Sequence, residues 1–367
     1  MRDSNITVDT AACLACGRCV DRCIMDNLRL VLPPCRQASA LGINYQGVFR
    51  LLAAGKFDEA AQELRRCTPF AGILHRLGDK APANACTRGR FGGSLNFEEI
   101  TRWLAHSCPD ILYRTEQNMP EHGLKASVVG HGFAALQSAY DLRMRGCSVN
   151  VYEVSGRDAV SALCDTLTTL AGKTNRDCGE PKTREEADKT IHMFIDMGIS
   201  FTDAANAQIS LEKLCAEYDA VLLTSDTFGP MKADENYHVR DNLFAAAEGA
   251  GKHDAQILKG IVEGKNAAHA VRNFLEGFSL DYEKDERTAN GWERFGGLTE
   301  EREDIPALAP IAPVDKTFNQ KEIMKEAARC LGCGRPVERN LTCWYCLPCE
   351  VVCPTKALHV RIPYLIR

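Results

Sequence analysis

Cysteine is the residue type whose number and spacing point most directly to chemistry in this sequence. The chain of 367 residues contains 18 cysteines, and a run near each end has two, two and three residues between successive cysteines. The runs are Cys13, Cys16, Cys19, Cys23 and Cys343, Cys346, Cys349, Cys353. This spacing lets several thiolates of one wrapped loop converge on a cubane, and it is typical of [4Fe–4S] ligation. The sequence therefore predicts a cluster-binding segment at each end of the chain.

The sequence leaves the pairing of the two runs open. They are similar to the halves of a two-cluster bacterial ferredoxin, in which the fourth cysteine of each run ligates the other cluster, although Ile24 replaces the usual proline. If the ends meet, Cys353 completes the N-terminal cluster and Cys23 the C-terminal one. Alternatively, each run closes its own cluster and borrows Cys330 or Cys333. That pair cannot hold a cluster alone, so two clusters are predicted and a third stays open.

A glycine-rich turn in the middle of the chain has the features of a dinucleotide site. Residues 127–129 are a short apolar run typical of a buried parallel strand, and the turn GHGFAA follows at 130–135. In a GxGxxA turn the first glycine permits the tight bend, and the second lets a pyrophosphate approach the backbone. The third small residue lets helix pack on strand. A helix over 134–145 and a strand over 149–152 are predicted next, which together indicate a Rossmann-type fold.

An acidic residue completes this pattern. Glu153 ends the second strand, where a carboxylate can accept hydrogen bonds from a ribose. The alternative is an α/β crossover that no longer binds a nucleotide, because His131 and Phe133 are bulky for a turn that contacts phosphates. The predicted cofactor-binding residues of this segment are Gly130, Gly132, Phe133, Ala134, Ala135 and Glu153.

Composition limits the classes of function. The apolar content is 45%, the charged content 25% and the formal net charge −5. No basic stripe indicates nucleic-acid binding, and no run of about 18 apolar residues indicates a membrane span. The N-terminus lacks the apolar core of a secretory signal. Thiolate ligands require a reducing compartment, so we expect a cytoplasmic protein.

Residues 33–110 carry a resemblance to a known family. Two helices are expected over 48–55 and 57–66 and a third over 98–106. The segments PCRQASALGIN, FRLLAAGKFDEAAQELRRCTPF and ANACTRG are similar to the helical N-terminal domain of the glutamate synthase small-subunit family. Dihydropyrimidine dehydrogenase shares that domain. The middle of the chain and KEAARCLGCG near residue 325 match the same family, so the resemblance covers nearly the whole chain.

The chain departs from this family in its helical segment. The resemblance implies two clusters there, held through patterns like PCxxACP and CPxxCExxC. Cys35 and Cys86 fit the first and last positions, whereas Ser39, Gly78 and Pro82 replace other matching cysteines. Because two cysteines cannot hold a cubane, we expect the helical segment to contain no metal and to serve packing and docking.

The resemblance also implies the cofactor of the central segment. The family binds FAD there, and DAVLLT at 219–224 is similar to the strand that returns to the flavin fold. At this point the family inserts a second dinucleotide domain for a nicotinamide cofactor, and this chain has no such insertion. In the closing flavin segment, Ala247 and Glu248 stand for the family's glycine and aspartate. Glu248 is therefore a further predicted FAD-binding residue.

These observations predict an α/β protein with a Rossmann-type FAD-binding domain, a helical N-terminal domain and ferredoxin-like [4Fe–4S] segments at both termini. The predicted divisions are a cysteine segment over 1–32, the helical domain over 33–120, the FAD domain over 121–278, a linker over 279–319 and the second cluster segment over 320–367. The predicted metal ligands are Cys13, Cys16, Cys19, Cys23, Cys330, Cys333, Cys343, Cys346, Cys349 and Cys353.

The predicted function is electron transfer between FAD and [4Fe–4S] clusters in a subunit of a larger redox complex. The expected partners are larger redox enzyme subunits or a ferredoxin. No catalytic side chain is predicted, because the cofactors carry the chemistry and the protein positions and tunes them. Two alternatives stay open: an NAD(P)H-dependent oxidoreductase in its own right, and a scaffold subunit that carries clusters beside a decayed flavin site.

Overall fold

A computed structural model describes most of the chain. The described residues are 4–115, 121–156, 158–171, 180–204, 209–229, 231–246, 254–280, 288–289, 305–312, 317–339 and 343–362. Glu248, with Ala247, lies outside them, so its predicted contact with FAD stays a prediction. Across the described residues, every helix is too short or too polar to cross a membrane.

The described residues form short strands and helices. The strands are β1 (Ile6–Val8), β2 (Leu28–Val31), β3 (Lys125–Val129), β4 (Ser148–Glu153), β5 (Ser200–Asp203), β6 (Ala220–Leu223), β7 (His238–Arg240), β8 (Leu243–Ala245), β9 (Thr288–Ala289), β10 (Arg335–Glu338) and β11 (Leu358–Val360). The α-helices are α1 (Arg18–Asp21), α2 (Pro34–Ala38), α3 (Tyr45–Ala53), α4 (Phe57–Arg65), α5 (Ala81–Asn84), α6 (Phe97–Ser107), α7 (Pro109–Leu112), α8 (Gly132–Met144), α9 (Ala159–Ala171), α10 (Glu180–Asp196), α11 (Leu211–Glu217), α12 (Asp254–Leu275), α13 (Gln320–Ala328) and α14 (Pro348–Val351). Two 3-10 helices cover Ala71–Arg76 and Thr87–Arg90.

The chain divides into two compact units. The first unit combines Met1–Cys67, Asp79–Cys108 and Glu283–Arg367, and the second combines Thr68–Gly78 with Pro109–Tyr282. Both ends of the chain and most of the helical segment thus belong to the first unit, whereas residues 68–78 and the glycine turn belong to the second.

A six-stranded sheet forms the centre of the second unit. The strand order is β5-β4-β3-β6-β8-β7, and all neighbours are parallel except the antiparallel pair of β7 and β8. Every residue of β6 and all but the first of β3 are buried. Continuous burial is what central parallel strands require, since helices cover both faces of such a sheet. The α/β class is confirmed, and the strand order is compatible with a Rossmann-like fold.

The elements around the glycine turn follow the sequence pattern closely. The predicted strand, helix and strand appear as β3, α8 and β4, and β3 pairs in parallel with β4 along its whole length. Helix α8 begins at Gly132, two residues before the predicted start. Gly132 itself has a left-handed φ of 72°, so the regular helical backbone begins after it.

Helices α8 and α12 approach each other closely at a glycine. The Ser138 hydroxyl donates to the carbonyl oxygens of Ala134 (2.8 Å) and Gly264 (2.9 Å). A Cβ atom on Gly264 would collide with the carbonyl oxygen of Ala134. Glycine at 264 therefore sets the distance between the helix that carries the turn and its neighbour.

Valine in place of Gly264 is expected to lower the free energy of unfolding by about 1–3 kcal/mol, because added atoms in a packed interface force the helices apart. Urea unfolding of the full chain, followed by circular dichroism, measures the change. Lys259→Ala on the exposed side of α12 is the control and should stay within about 0.5 kcal/mol of wild type. Equal stability of Gly264→Val and wild type would show that the helices do not pack closely.

Helices and two small sheets form the first unit. The predicted helical hairpin appears as α3 and α4, and Gly55 at φ 72° makes the reversal between them. The rings of Tyr45 and Phe49 pack on Phe97 of α6 with centroids 4.9 and 5.0 Å apart. The sheets are the antiparallel pair β1-β11 and the three-stranded order β10-β2-β9. Pro336 lies in β10, an edge strand, where a missing N–H costs least.

Candidate metal and cofactor sites

The two terminal segments of the first unit repeat the same order of elements. The N-terminal segment runs β1-α1-β2, and the C-terminal segment runs β10-α14-β11. Helix α1 begins at Arg18 and α14 at Pro348, while β2 begins at Leu28 and β11 at Leu358, a separation of 330 positions in both cases. Strand β1 pairs with β11, and β10 pairs with β2. Each segment is thus paired with the other, and the ends of the chain meet.

Left-handed backbone occurs at matching positions of the two cysteine loops. It falls two and four residues after the first cysteine of each run and three residues after the last. The residues are Ala15 (φ 50°), Gly17 (82°) and Asp26 (47°) in the first loop, and Tyr345 (56°), Leu347 (71°) and Lys356 (53°) in the second. Only one of the six is glycine, and left-handed backbone is uncommon for other residues. The surrounding contacts therefore hold both loops in one wrapped shape.

This wrapping turns backbone amides toward sulfur atoms. The amide of Ala15 donates to the Cys13 sulfur at 3.4 Å. The amides of Asn27 and Ala357, again 330 positions apart, donate to Cys23 at 3.3 Å and Cys353 at 3.2 Å. Such donors stabilise thiolates and are the interactions that tune iron–sulfur clusters.

Cys353 joins the first three cysteines of the N-terminal run. Cys13, Cys16, Cys19 and Cys353 line one cavity, together with apolar residues that include Val8 and Leu358. Burial raises the pKa of the Cys13 thiol to about 11, and the charges of Cys16 and Cys353 raise it further. Burial likewise raises the pKa of Cys19, with contributions from all three other thiols. Thiols that share one enclosed cavity ionise together only when a cation binds them, as they would on binding a cluster.

Cys23, Cys343 and Cys349 pack in one apolar cluster of the first unit, and Cys346 lies within electrostatic reach of the last two. Burial raises the pKa of Cys349 to about 11, and the next contributions are the charges of Cys23, Cys343 and Cys346. Cys23 and Cys346 also raise the pKa of Cys343, for which burial is again the first cause. The structure therefore brings the terminal cysteines together in two crossed groups of four, whereas cluster binding by them stays a prediction.

Cys330 and Cys333 lie elsewhere in the first unit. They line a second cavity with Cys35 of α2 and with Cys86, which precedes the 3-10 helix Thr87–Arg90. The hypothesis that the helical segment contains no metal counted only Cys35 and Cys86 as ligands. The structure removes that reason, because four cysteines surround this cavity.

Sequence reasoning missed this group because its halves lie 244 or more positions apart in the sequence and each half looks incomplete alone. It also missed Arg88, which lines the same cavity. The one available signal was that both incomplete pairs fall in segments that resemble the same family.

The glycine turn of the second unit has open space beside its second glycine. Gly130 has φ 156°, and a Cβ there would collide with Thr224. Gly132 has φ 72°, and a Cβ there would meet no atom within 4 Å. The backbone at 132, at the N-terminus of α8, is therefore accessible to a bound group. A helix N-terminus with exposed amides is a good site for a phosphate.

The other predicted residues of the turn pack inward. Phe133 is buried, and its ring meets Phe70 edge-on with centroids 4.7 Å apart. The bulk of this side chain is therefore taken up by the core of the unit and does not occupy the space beside Gly132. Ala134 and Ala135 are buried, and Ala135 is fully enclosed, as the small third position of the pattern requires.

Glu153 ends β4, as predicted. It is 6% exposed, and one carboxylate oxygen accepts a hydrogen bond from the Ser155 amide at 2.9 Å. This bond orients the carboxylate at the carboxyl end of the sheet, the edge at which open α/β sheets bind ligands. The structure thus places Gly132 and Glu153 at the same edge of the sheet, since β3 and β4 are parallel neighbours.

Comparisons with known proteins show that the chain is similar to oxidoreductases at low sequence identity. No family model matches the chain. An Escherichia coli protein named as an oxidoreductase, UacF, is 25% identical over 219 residues, which are 57% of this chain and 32% of that protein. The beta subunit of the NADP(+)-dependent formate dehydrogenase of Moorella thermoacetica is 22% identical over 236 residues, 56% of this chain and 32% of the subunit. Each match spans about a third of the relative's length. The likeness supports a general relationship to oxidoreductases.

Proposed function

We propose that this chain is an electron-transfer subunit that binds FAD at the glycine turn and [4Fe–4S] clusters at the two crossed cysteine groups. The observation that carries the proposal is the repeat of β1-α1-β2 in β10-α14-β11, with matching left-handed residues and matching amide-to-sulfur hydrogen bonds. When bound, a flavin exchanges electrons in pairs and iron–sulfur clusters carry them singly.

In the proposed arrangement, each terminal cysteine is a ligand of one of two clusters. Cys13, Cys16, Cys19 and Cys353 would hold one cluster, and Cys343, Cys346, Cys349 and Cys23 the other. The amides that donate to Cys23 and Cys353 offset negative charge at sulfur, which favours the reduced state of a cluster. Because the ligands come from both ends of the chain, metal binding would also stabilise the pairing of β1 with β11 and of β10 with β2.

The glycine turn supports FAD as the second cofactor. The accessible backbone at Gly132 would receive the pyrophosphate, and Glu153 would accept hydrogen bonds from the ribose. Glu248 is proposed to contact the flavin side of the cofactor. The choice of FAD over another dinucleotide rests on the family resemblance.

A place in a larger complex follows from the same likenesses. One relative is named as a subunit of a formate dehydrogenase, and we propose that this chain also passes electrons to or from a larger redox enzyme or a ferredoxin. Thiolate ligands favour a reducing compartment, so we propose a cytoplasmic location.

The proposal is tested on full-length chain purified and reconstituted without oxygen. We expect extractable FAD, and we expect the double variant Cys16→Ala/Cys346→Ala to lose about eight irons per chain relative to wild type, since each site holds four. Cys215→Ala, a partly buried cysteine of the second unit, is the control and should lose none.

Each contrary result would contradict a different part of the proposal. Unchanged iron in the double variant would refute the terminal clusters. Iron without any flavin, even when FAD is supplied, would indicate a scaffold subunit. Turnover of NADPH with a dye by the isolated chain at about 10 per second would indicate an enzyme in its own right.

A further inference from the structure

Large apolar side chains are exposed beside the cysteines of one crossed group. Eight such side chains are exposed in the part of the chain that the structure describes, and four of them lie within two positions of Cys23, Cys343 or Cys349. These three cysteines pack in one apolar cluster, so the four side chains surround a single group of thiols. The four, here called the terminal patch, are Ile24 (70% exposed), Met25 (36%), Trp344 (71%) and Val351 (80%).

One cysteine of the same group is itself exposed. Cys346 is the one exposed thiol among the described cysteines, whereas Cys16, its equivalent 330 positions earlier, is half-buried. A cluster held by Cys346 and its three neighbours would therefore lie near the surface, next to the terminal patch. Electrons would enter or leave the protein there, because transfer between two proteins requires their redox centres to come close.

The internal repeat shows what covers the other cysteine loop. Leu14 of the first loop is only 9% exposed, because the helical segment packs over it. Three successive carbonyl oxygens of that loop accept hydrogen bonds from side chains of the segment. The bonds run from Gln46 to Cys13 (3.0 Å), from Asn44 to Leu14 (3.0 Å) and from Arg36 to Ala15 (3.1 Å).

The equivalent face of the second loop is open. Trp344 corresponds to Leu14 in the repeat and is 71% exposed, and Tyr345 corresponds to the buried Ala15 and is half-buried. Protein covers the first loop at these positions, whereas the second presents an aromatic side chain to solvent. Clustered exposed apolar residues of this kind are typical of a contact site for another protein.

The charge around the terminal patch indicates the kind of partner. Residues 4–31 and 333–362 contain seven arginine and lysine residues and five aspartate and glutamate residues, a net charge of +2, whereas the whole chain has −5. Arg18 and Arg22, at the two ends of α1, are exposed, and α1 contacts α14, which carries Val351. A basic rim attracts a protein with an acidic face.

We propose that the terminal patch is the docking site of an acidic electron-transfer protein that carries its own redox centre near its surface. This inference rests on the proposed electron-transfer function and names the surface through which electrons pass. The apolar side chains exclude water from the contact, and the basic rim pairs with carboxylates of the partner. Each transfer moves one electron, so the donor centre is oxidised as the acceptor centre is reduced.

The docking site is tested by calorimetric titration with an acidic two-cluster bacterial ferredoxin. The full-length chain is first reconstituted with iron, sulfide and FAD without oxygen. Wild type is expected to bind with a dissociation constant on the order of 1–10 μM. Trp344→Ala should weaken binding by at least about 30-fold, since a tryptophan at the centre of an interface contributes most to affinity. Val351→Asp should weaken it by at least about 10-fold, because it adds a negative charge opposite an acidic partner.

An exposed apolar residue of the second unit is the matched control. Ile195 of α10 is 53% exposed, and Ile195→Asp should bind the ferredoxin as wild type does. Circular dichroism and iron content establish that each variant is folded and loaded. Val351→Asp keeps the test decisive if Trp344→Ala disturbs the adjacent Cys343. Wild-type protein that does not bind the ferredoxin, or variants of the terminal patch that bind it unchanged, would overturn the proposal.

Salt tests the role of the basic rim. Raising the ionic strength from 50 to 300 mM should weaken binding by wild type about 10-fold, because salt screens exposed charges. Arg22→Glu should weaken binding at low salt and reduce this dependence. Arg240→Glu, at an exposed position of β7, is the control and should do neither. Binding that salt leaves unchanged would contradict an acidic partner.

Two further measurements on the same samples identify the cause of a negative result. Protein that contains iron and flavin but does not bind the ferredoxin would overturn the docking site alone. Protein without clusters would overturn the proposed electron-transfer function, and the docking site with it. Sedimentation of wild type as a dimer that Trp344→Ala and Val351→Asp both convert to monomer would show that a second copy of the chain occupies the terminal patch, which also overturns the proposal.

Discussion

Alanine in place of Cys23 is expected to remove about four irons per chain and to remove them from the C-terminal cysteine group. The charge of Cys23 acts on Cys343 and Cys349, whereas Cys13 and Cys19 are influenced by Cys353. A cysteine that belongs to one run by sequence thus lies with the other run in space. Loss of one of four thiolates exposes a cluster to solvent and makes it labile.

Double variants identify the cluster to which Cys23 belongs. If Cys23 and Cys346 hold the same cluster, Cys23→Ala/Cys346→Ala should lose about four irons, no more than either single variant. Cys23→Ala/Cys16→Ala removes a ligand from each crossed group and should lose about eight. Cys353 occupies the equivalent position 330 residues later and provides a matched test. Cys353→Ala/Cys16→Ala should lose about four irons, and Cys353→Ala/Cys346→Ala should lose about eight.

Local closure of each cluster would reverse these results. In that arrangement Cys23 and Cys16 share a cluster, so their double variant would lose about four irons and the Cys23/Cys346 pair about eight. The loss is measured against wild type, so any further cluster in the protein leaves the comparison unchanged.

Local patterns predicted much of the second unit. Strand β3, the glycine turn and α8 follow one another within about 20 residues, so turn chemistry and hydrophobic period alone locate them. The antiparallel strand β7 was not predicted, because its three residues, two half-buried and one exposed, leave no periodic signal.

Long-range pairing explains what sequence patterns missed in the first unit. The crossed terminal groups were one of two open arrangements, since spacing within a run does not state which runs meet. Cys35 and Cys86 were set aside because neighbours along the chain lacked the remaining ligands. Two further cysteines, Cys330 and Cys333, come from the other end of the chain, and only the fold brings them to the same cavity.

Valine in place of Gly132 is expected to weaken FAD binding by at least about 100-fold. The backbone at this position is open, and a pyrophosphate at the N-terminus of α8 must approach it closely. Two methyl groups would occupy the space that the phosphate needs. Protein purified with FAD in excess should contain nearly stoichiometric flavin as wild type and almost none as the variant, measured by absorbance after extraction.

The backbone strain of this substitution needs a matched control, because Gly132 has φ 72° and any side chain costs about 1–2 kcal/mol in that conformation. Gly123→Val supplies it. Gly123 has φ 74°, a Cβ there also meets no atom within 4 Å, and it lies before the opposite end of β3. Both variants should lose similar stability in thermal unfolding, but only Gly132→Val should lose the flavin. Equal flavin content in the two variants would mean that the pyrophosphate does not bind at this turn.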